Sequence, residues 1–182
     1  NGNLKYAAYT KHLPGGLYYW DTYTALDSTW DVGRYTSLAL DNSGTPHISY
    51  YVGDPSTNPG YAWLNGSTWY NTILSHTGDA GWYTSLALDS SGYPHISYHN
   101  GNPDYDLMYA WYDGSWWDWE TVDSIGDVGW YTSLALDGSN NPHISYYDTS
   151  NRALKYAWYD GSWHVTTVES TGDMGWFSSL AL

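Results

Sequence analysis

Hydrophobic and small residues alternate with period two in short runs along this chain, and no segment longer than a turn shows helical spacing. From Tyr83 to Asp89, residues Thr84, Leu86 and Leu88 fall on one face of an extended strand, and Tyr83, Ser85 and Ala87 on the other. Both faces are almost free of charge, so a sheet of such strands expects cover on both sides. The runs are bounded by turn-forming clusters such as Asp89-Ser90-Ser91-Gly92, Asp137-Gly138-Ser139-Asn140-Asn141 and Asp113-Gly114-Ser115. Four runs make a unit, which predicts four short antiparallel strands.

The unit repeats. The segment from Asp31 to Tyr50 (DVGRYTSLALDNSGTPHISY) returns at Asp79 and at Asp127, a period of about 48 residues, and a shorter copy starts at Asp173 and stops at Leu182 before its PHISY segment. The other half of the unit, Leu-x-Tyr-Ala followed by a turn and Trp-x-x-x-Thr-Val, is clearest at Leu107 to Val122 and Leu154 to Val168. It is degenerate at Gly60 to Leu74, and it opens the chain as Leu4-Lys5-Tyr6-Ala7. The array divides into a half unit (1–30), three repeats (31–78, 79–126, 127–172) and a partial repeat (173–182). Four-stranded sheets covered on both faces and repeated at this period predict an all-β fold, a β-propeller of about four blades with one incomplete. A β-solenoid fits less well, because its rungs are much shorter.

The string S-L-A-L-D-x-S-G-x-P-H-I-S-Y-Y, followed by L-K-Y-A and D-G-S-x-W, resembles repeats of sialidase-like β-propellers in secreted microbial proteins. That resemblance implies SLALD as the innermost strand, PHISY as the second, LKYA as the third and Trp-x-x-x-Thr-Val as the outermost. The turn Asp113-Gly114-Ser115-Trp116-Trp117 is also similar to the Asp-Gly-x-x-Trp turns of fucose-binding propeller lectins. The Asp-box Ser-x-Asp-x-Gly-x-x-Trp is not matched. Sialidases grip a substrate carboxylate with three arginines, and this chain has only Arg34 and Arg152, so the resemblance implies the fold and not that activity.

Composition narrows the function further. Five Lys and Arg against 19 Asp and Glu give a net charge of −14, which repels phosphate backbones and anionic lipid surfaces and excludes nucleic acid as a partner. No apolar run approaches the roughly 18 residues of a membrane-spanning helix, so no membrane insertion is expected. Cysteine is absent, while 21 Tyr and 13 Trp stand against a single Phe, an aromatic surplus suited to half-wet sheet surfaces. The chain starts at Asn1, as a processed or trimmed terminus would, and the composition fits an extracellular or cell-surface microbial protein.

Candidate chemistry gathers in a repeated loop. Asp79, Asp127 and Asp173 each lie three residues before an indole, Trp82, Trp130 and Trp176, and Arg34 takes the Trp position in the first copy. A carboxylate beside a flat apolar ring is what a sugar needs, hydrogen bonds for hydroxyls and a face for C–H groups. The same indoles could instead wedge between blades, and both readings stay open. Calcium is a weaker possibility at Asp79, Asp127 and Asp173, without a dense run of ligands; no other cofactor is indicated. His47, His95 and His143 recur with the PHISY strand and read as structural, as do Trp63, Trp111 and Trp158 on the third strand, while Asp41, Asp89 and Asp137 read as turn residues. Two segments, Lys11 to Tyr19 and Val52 to Gly60, read as breaks in the repeat. Asn65-Gly66-Ser67 matches a glycosylation sequon at a turn.

No nucleophile, base and orienting partner gather outside the repeat, so no enzyme activity is expected. Two non-enzymatic readings remain, a self-assembling structural protein or a glycan-binding module. The first is favoured by a count: four SLAL strands and four LKYA-type segments meet only three PHISY strands. Ring closure would put Ser179 to Leu182, with Ser179, Leu180 and Leu182, into the same blade as Leu4 and Tyr6. The empty second-strand slot would invite a strand from another copy, building a filament, or the chain would be an excerpt of a longer array.

Overall fold

The computed structural model describes residues 2–12, 16–26 and 31–182, and among these there is no helix. Strands β1 (Leu4–His12) and β2 (Leu17–Leu26) form a two-stranded antiparallel hairpin. Three four-stranded antiparallel sheets follow. The first comprises β3 (Val32–Leu40), β4 (Pro46–Val52), β5 (Asn58–Asn65) and β6 (Thr68–Ile73). The second comprises β7 (Ala80–Leu88), β8 (Pro94–Asn100), β9 (Asp106–Tyr112) and β10 (Trp117–Asp123), and the third β11 (Val128–Leu136), β12 (Pro142–Asp148), β13 (Ala153–Tyr159) and β14 (Trp163–Glu169). Within each sheet the strands lie in chain order, SLAL at one edge and the Trp-led strand at the other.

The turns follow from side-chain chemistry. Asp41, Asp89 and Asp137 each accept two backbone N–H groups of their own hairpin, for Asp89 those of Ser91 and Tyr93, both at 2.8 Å. This closes the β3–β4, β7–β8 and β11–β12 connections as Asx turns. The segment 53–57 obeys the repeat rather than breaking it. Gly53 donates to the Asp31 carbonyl at 2.7 Å as Gly101 donates to that of Asp79, so the Gly-Pro-rich loop is a regular blade connection. Of the stretch Lys11 to Tyr19, residues 13–15 lie outside the described residues, and the rest belongs to the lengthened β1–β2 hairpin.

Successive sheets pack face to face, with β7 against β3 and β11 against β7. Between the second and third sheets, Leu107, Val128, Ile144, Tyr146 and Ala157 are wholly buried, and Ala80, Ile96 and Ala110 fill the preceding interface. Such side chains each gain about 1.5–3 kcal/mol on leaving water when they are as large as Val, Leu or Ile. Polar links join the same faces near the inner strands. Leu86 N donates to Ser37 Oγ, Leu134 N to Ser85 Oγ and Leu180 N to Ser133 Oγ, each at 3.0 Å. The serines of SLAL are therefore joints between sheets, besides being small. Gly129 matters for the same reason: it sits at φ 89°, and a Cβ there would lie 2.9 Å from Leu107 Cα.

The ends differ from the expectation of a shared blade. Leu4 is buried beside Val32, Ile48 and Tyr50 of the first sheet, with Tyr6 packed against that cluster. Ser179, Leu180 and Leu182 belong to an extended tail that forms no strand; Leu180 is tied to Ser133 of the third sheet, and Leu182 is exposed. The fourth SLAL segment is thus not paired with β1: Leu180 keeps the serine link that Leu86 and Leu134 make, but among the described residues no strand stands beside it to form a ladder.

Candidate functional site

The repeated Asp-x-Gly-Trp loops come first. Trp82 Nε1 donates to Asp79 Oδ1 at 2.9 Å, Trp130 Nε1 to Asp127 Oδ1 at 2.5 Å and Trp176 Nε1 to Asp173 Oδ1 at 2.8 Å. A residue of the preceding PHISY strand completes each clamp: Tyr51 OH donates to Asp79 Oδ1 at 2.8 Å, Tyr147 OH to Asp173 Oδ1 at 2.5 Å, and His99 Nε2 lies 3.9 Å from Asp127 Oδ1. The indoles lie against the phenols of neighbouring repeats, Trp82 on Tyr35 with centroids 5.6 Å apart and Trp130 on Tyr83 at 5.3 Å. Tyr35, Tyr83, Tyr131 and Phe177 form a column at centroid spacings of 4.5, 4.4 and 4.3 Å. Arg34, in the Trp position of the first copy, is exposed and pairs with Asp31 at 2.5 Å. These carboxylates already hold their own indoles, and among the described residues no group of three His, Cys, Asp or Glu is placed to hold a metal ion.

Two other places have the shape of binding sites, and they are copies of each other. One cleft, of ≈ 400 Å³, lies between the first and second sheets, with His47, Tyr61, Trp63 and Thr72 on one wall and Tyr93, Tyr112 and Trp117 on the other. The second, of ≈ 480 Å³, has His95, Tyr109, Trp111 and Glu120 from the second sheet facing Asn140, Asn141 and Tyr159 of the third. Both volumes fall within the range of small-ligand sites. In each, a tryptophan stacks on a tyrosine, Trp63 on Tyr61 and Trp111 on Tyr109, both with centroids 5.4 Å apart. The Trp from the next sheet closes the corner edge-on: Trp117 against Tyr61 and Trp163 against Tyr109, again at 5.4 Å.

The polar groups of the clefts are preset. Tyr61 OH meets His47 Nδ1 at 2.5 Å, Tyr109 OH meets His95 Nδ1, and Tyr156 OH meets His143 Nδ1 at 2.5 Å. Asp41, Asp89 and Asp137 place a carboxylate oxygen 3.9, 3.9 and 3.8 Å from the corresponding Nε2. A proton on Nε2 faces the carboxylate, beyond direct hydrogen-bond distance, and leaves Nδ1 to accept from the phenol; the opposite tautomer would set a lone pair against an anion. Burial lowers the His47 and His95 pKa values, partly offset by Asp41 and Asp89, and burial raises those of Tyr61 and Tyr109. Each cleft therefore offers a neutral imidazole N–H, a protonated phenol and aromatic faces.

One polar cluster departs from the repeat. Lys155 is buried against Asp123, with Asp148 Oδ2 3.9 Å away, and Tyr146 OH donates to Asp123 Oδ2 at 2.6 Å. The corresponding positions of the second sheet are Met108 and Asn100.

No protein-family model matches the chain, and no curated protein sequence matches it either. Solved structures do match. A fucose lectin from Kordia zhangzhouensis, in complex with methyl-fucoside, aligns with 75% of this chain and 99% of its own at TM-score 0.52 and 21% identity. The Aleuria aurantia lectin, as an N224Q mutant in complex with alpha-methyl-L-fucoside, aligns with 94% of this chain at TM-score 0.58 and 15% identity. AofleA from Arthrobotrys oligospora aligns with 91% at TM-score 0.55 and 12% identity. The chain shares the β-propeller fold of these structures. The chain spans 61% of the Aleuria and 50% of the Arthrobotrys chain.

The structure thus places His47, His95, Trp63 and Trp111, which read as structural residues in the sequence, in the walls of open clefts. The signal was present: each His is followed 13 or 14 residues later by the tyrosine it bonds. Glu120 was marked only by departing from Thr72 and Thr166 at the same place in the unit.

Proposed function

We propose that this chain is a non-enzymatic, glycan-binding β-propeller module whose ligands sit in the clefts between successive sheets. The observation behind this reading is the repetition of one constellation, a Trp–Tyr stack beside a Tyr–His–Asp chain, in two open clefts of suitable size. A pyranose presents C–H groups on one face and hydroxyls at its rim, matching indole and phenol faces edged by fixed donors and acceptors. The structural likeness to lectins, two of them bound to fucosides, supports this reading over self-assembly into a filament, which draws no support from those structures. An extracellular or cell-surface location accords with such a role.

The test is a glycan array followed by titration with a retained sugar. Trp63→Ala and Trp111→Ala should each remove the binding carried by one cleft, and the double variant all of it, with the fold checked by circular dichroism. A folded double variant that binds as well as the parent would refute the cleft assignment.

A further inference from the structure

The two clefts are alike in their rings and unlike in their charge. Glu120 lies on β10, directly opposite Tyr109 in the strand register, half-buried in the wall of the second cleft. The equivalent position in the first cleft is Thr72, likewise paired with Tyr61. Glu120 Oε1 accepts a hydrogen bond from Trp163 Nε1 at 2.7 Å, and among the described residues this is the one hydrogen bond the carboxylate accepts. No described Lys or Arg forms an ion pair with it; Lys155 is engaged by Asp123, and Arg34 by Asp31. Asp89 adds a second negative group near the same Tyr109, and both carboxylates help keep that phenol protonated. In the first cleft Asp41 acts on Tyr61 alone. The walls beside Glu120 are the Trp111–Tyr109 stack and Tyr159, itself edge-on to Trp163 at 5.6 Å.

An unpaired carboxylate among π faces is the arrangement that attracts a cation, since ring quadrupoles and the anion act in the same direction. Hydroxyls of a neutral sugar would use the same oxygen more weakly, and an acidic sugar would meet repulsion from Glu120, from Asp89 and from a chain of charge −14. We propose that Glu120 makes the cleft between the second and third sheets selective for a sugar bearing a protonated amino group. The sister cleft, with Thr72, takes neutral sugars. This rests on the glycan-binding reading of the clefts and adds a ligand class to one of them.

The experiment titrates the full chain with short oligosaccharides of glucosamine and with their N-acetylated counterparts, at low salt and at a pH where the amine is protonated. Tryptophan fluorescence or NMR reports binding. The amine form should bind the parent at least about tenfold more tightly, a preference that salt weakens. Glu120→Gln keeps an acceptor for Trp163, so it should abolish the preference and bring the two forms to similar affinity. Thr72→Glu should create a second amine-selective site. Equal binding of both forms by the parent, or a preference that survives in Glu120→Gln, overturns the amino-sugar assignment and leaves the glycan reading standing. If neither these nor any array glycan binds the folded parent, the glycan reading fails and this inference falls with it.

Discussion

The backbone N–H of Leu134 donates to Ser85 Oγ at 3.0 Å, across the boundary between two sheets. The same bond joins Leu86 to Ser37 and Leu180 to Ser133, so β7, β11 and the final segment each hang on a serine of the preceding sheet. Leu134 is buried, and Ser85→Ala would leave its N–H without a partner. A loss of about 1–3 kcal/mol is expected, measured by the shift of the urea midpoint at constant slope.

Lys155 provides a second test, because its charge is enclosed with those of Asp123 and Asp148. Lys155→Met, which copies Met108 of the second sheet, should cost about 3–5 kcal/mol by leaving buried carboxylates without their cation. The triple change Lys155→Met, Asp123→Ser, Asp148→Asn copies the sister interface, with Ser75 and Asn100, and should recover most of that loss. Thermal denaturation of the two variants distinguishes a necessary ion cluster from an exchangeable one.

The cleft histidines make stability depend on pH. Burial holds the His47 and His95 pKa values below the ordinary 6.5, so between those lowered values and 6.5 the unfolded chain binds more protons than the folded one. Their contribution is fully present above 6.5 and is lost as pH falls through that window. Stability should therefore drop from pH 7.5 to pH 5, and the drop should shrink in a His47→Gln, His95→Gln variant. Denaturant titrations at the two pH values give the comparison, and an unchanged drop would place its origin in other groups.

Glycine substitutions separate close approach from backbone strain. Gly129 and Gly92 both have positive φ, 89° and 83°, but a Cβ at Gly92 meets nothing within 4 Å whereas at Gly129 it lies 2.9 Å from Leu107 Cα. Gly92→Ala should cost about 1–2 kcal/mol, the penalty of a left-handed alanine. Gly129→Ala should cost more and lower the cooperativity of unfolding, since β11 must move away from β9. Equal losses would show that the second and third sheets yield easily.

Much of this architecture is legible along the chain. Alternation of residues such as Leu86 and Leu88 with Ser85 and Ala87 marks the strands, Asp89 and Gly92 mark the turns, and the recurrence of Asp31 at Asp79 and Asp127 marks the sheets. These features depend on contacts within a few residues or within one hairpin, and local chemistry suffices for them.

Tertiary structure alone decided what lies between repeats. The same letters describe a histidine packed in a core and one in the wall of a cleft; His95 is the second because Asn141 and Tyr159 of the next sheet stand opposite it without filling the space. Nor does the sequence show that the Asp79 oxygen that accepts from Trp82 also accepts from Tyr51 of the preceding sheet. The fate of Leu180 also lay outside the pattern: its segment repeats a strand sequence and keeps the serine link of the other copies, yet a strand needs a partner ladder, and none stands beside it among the described residues. Periodicity along a chain specifies which units are equivalent, but the separation and relative tilt of two sheets, set by side chains many residues apart, determine whether the space between them is filled or open.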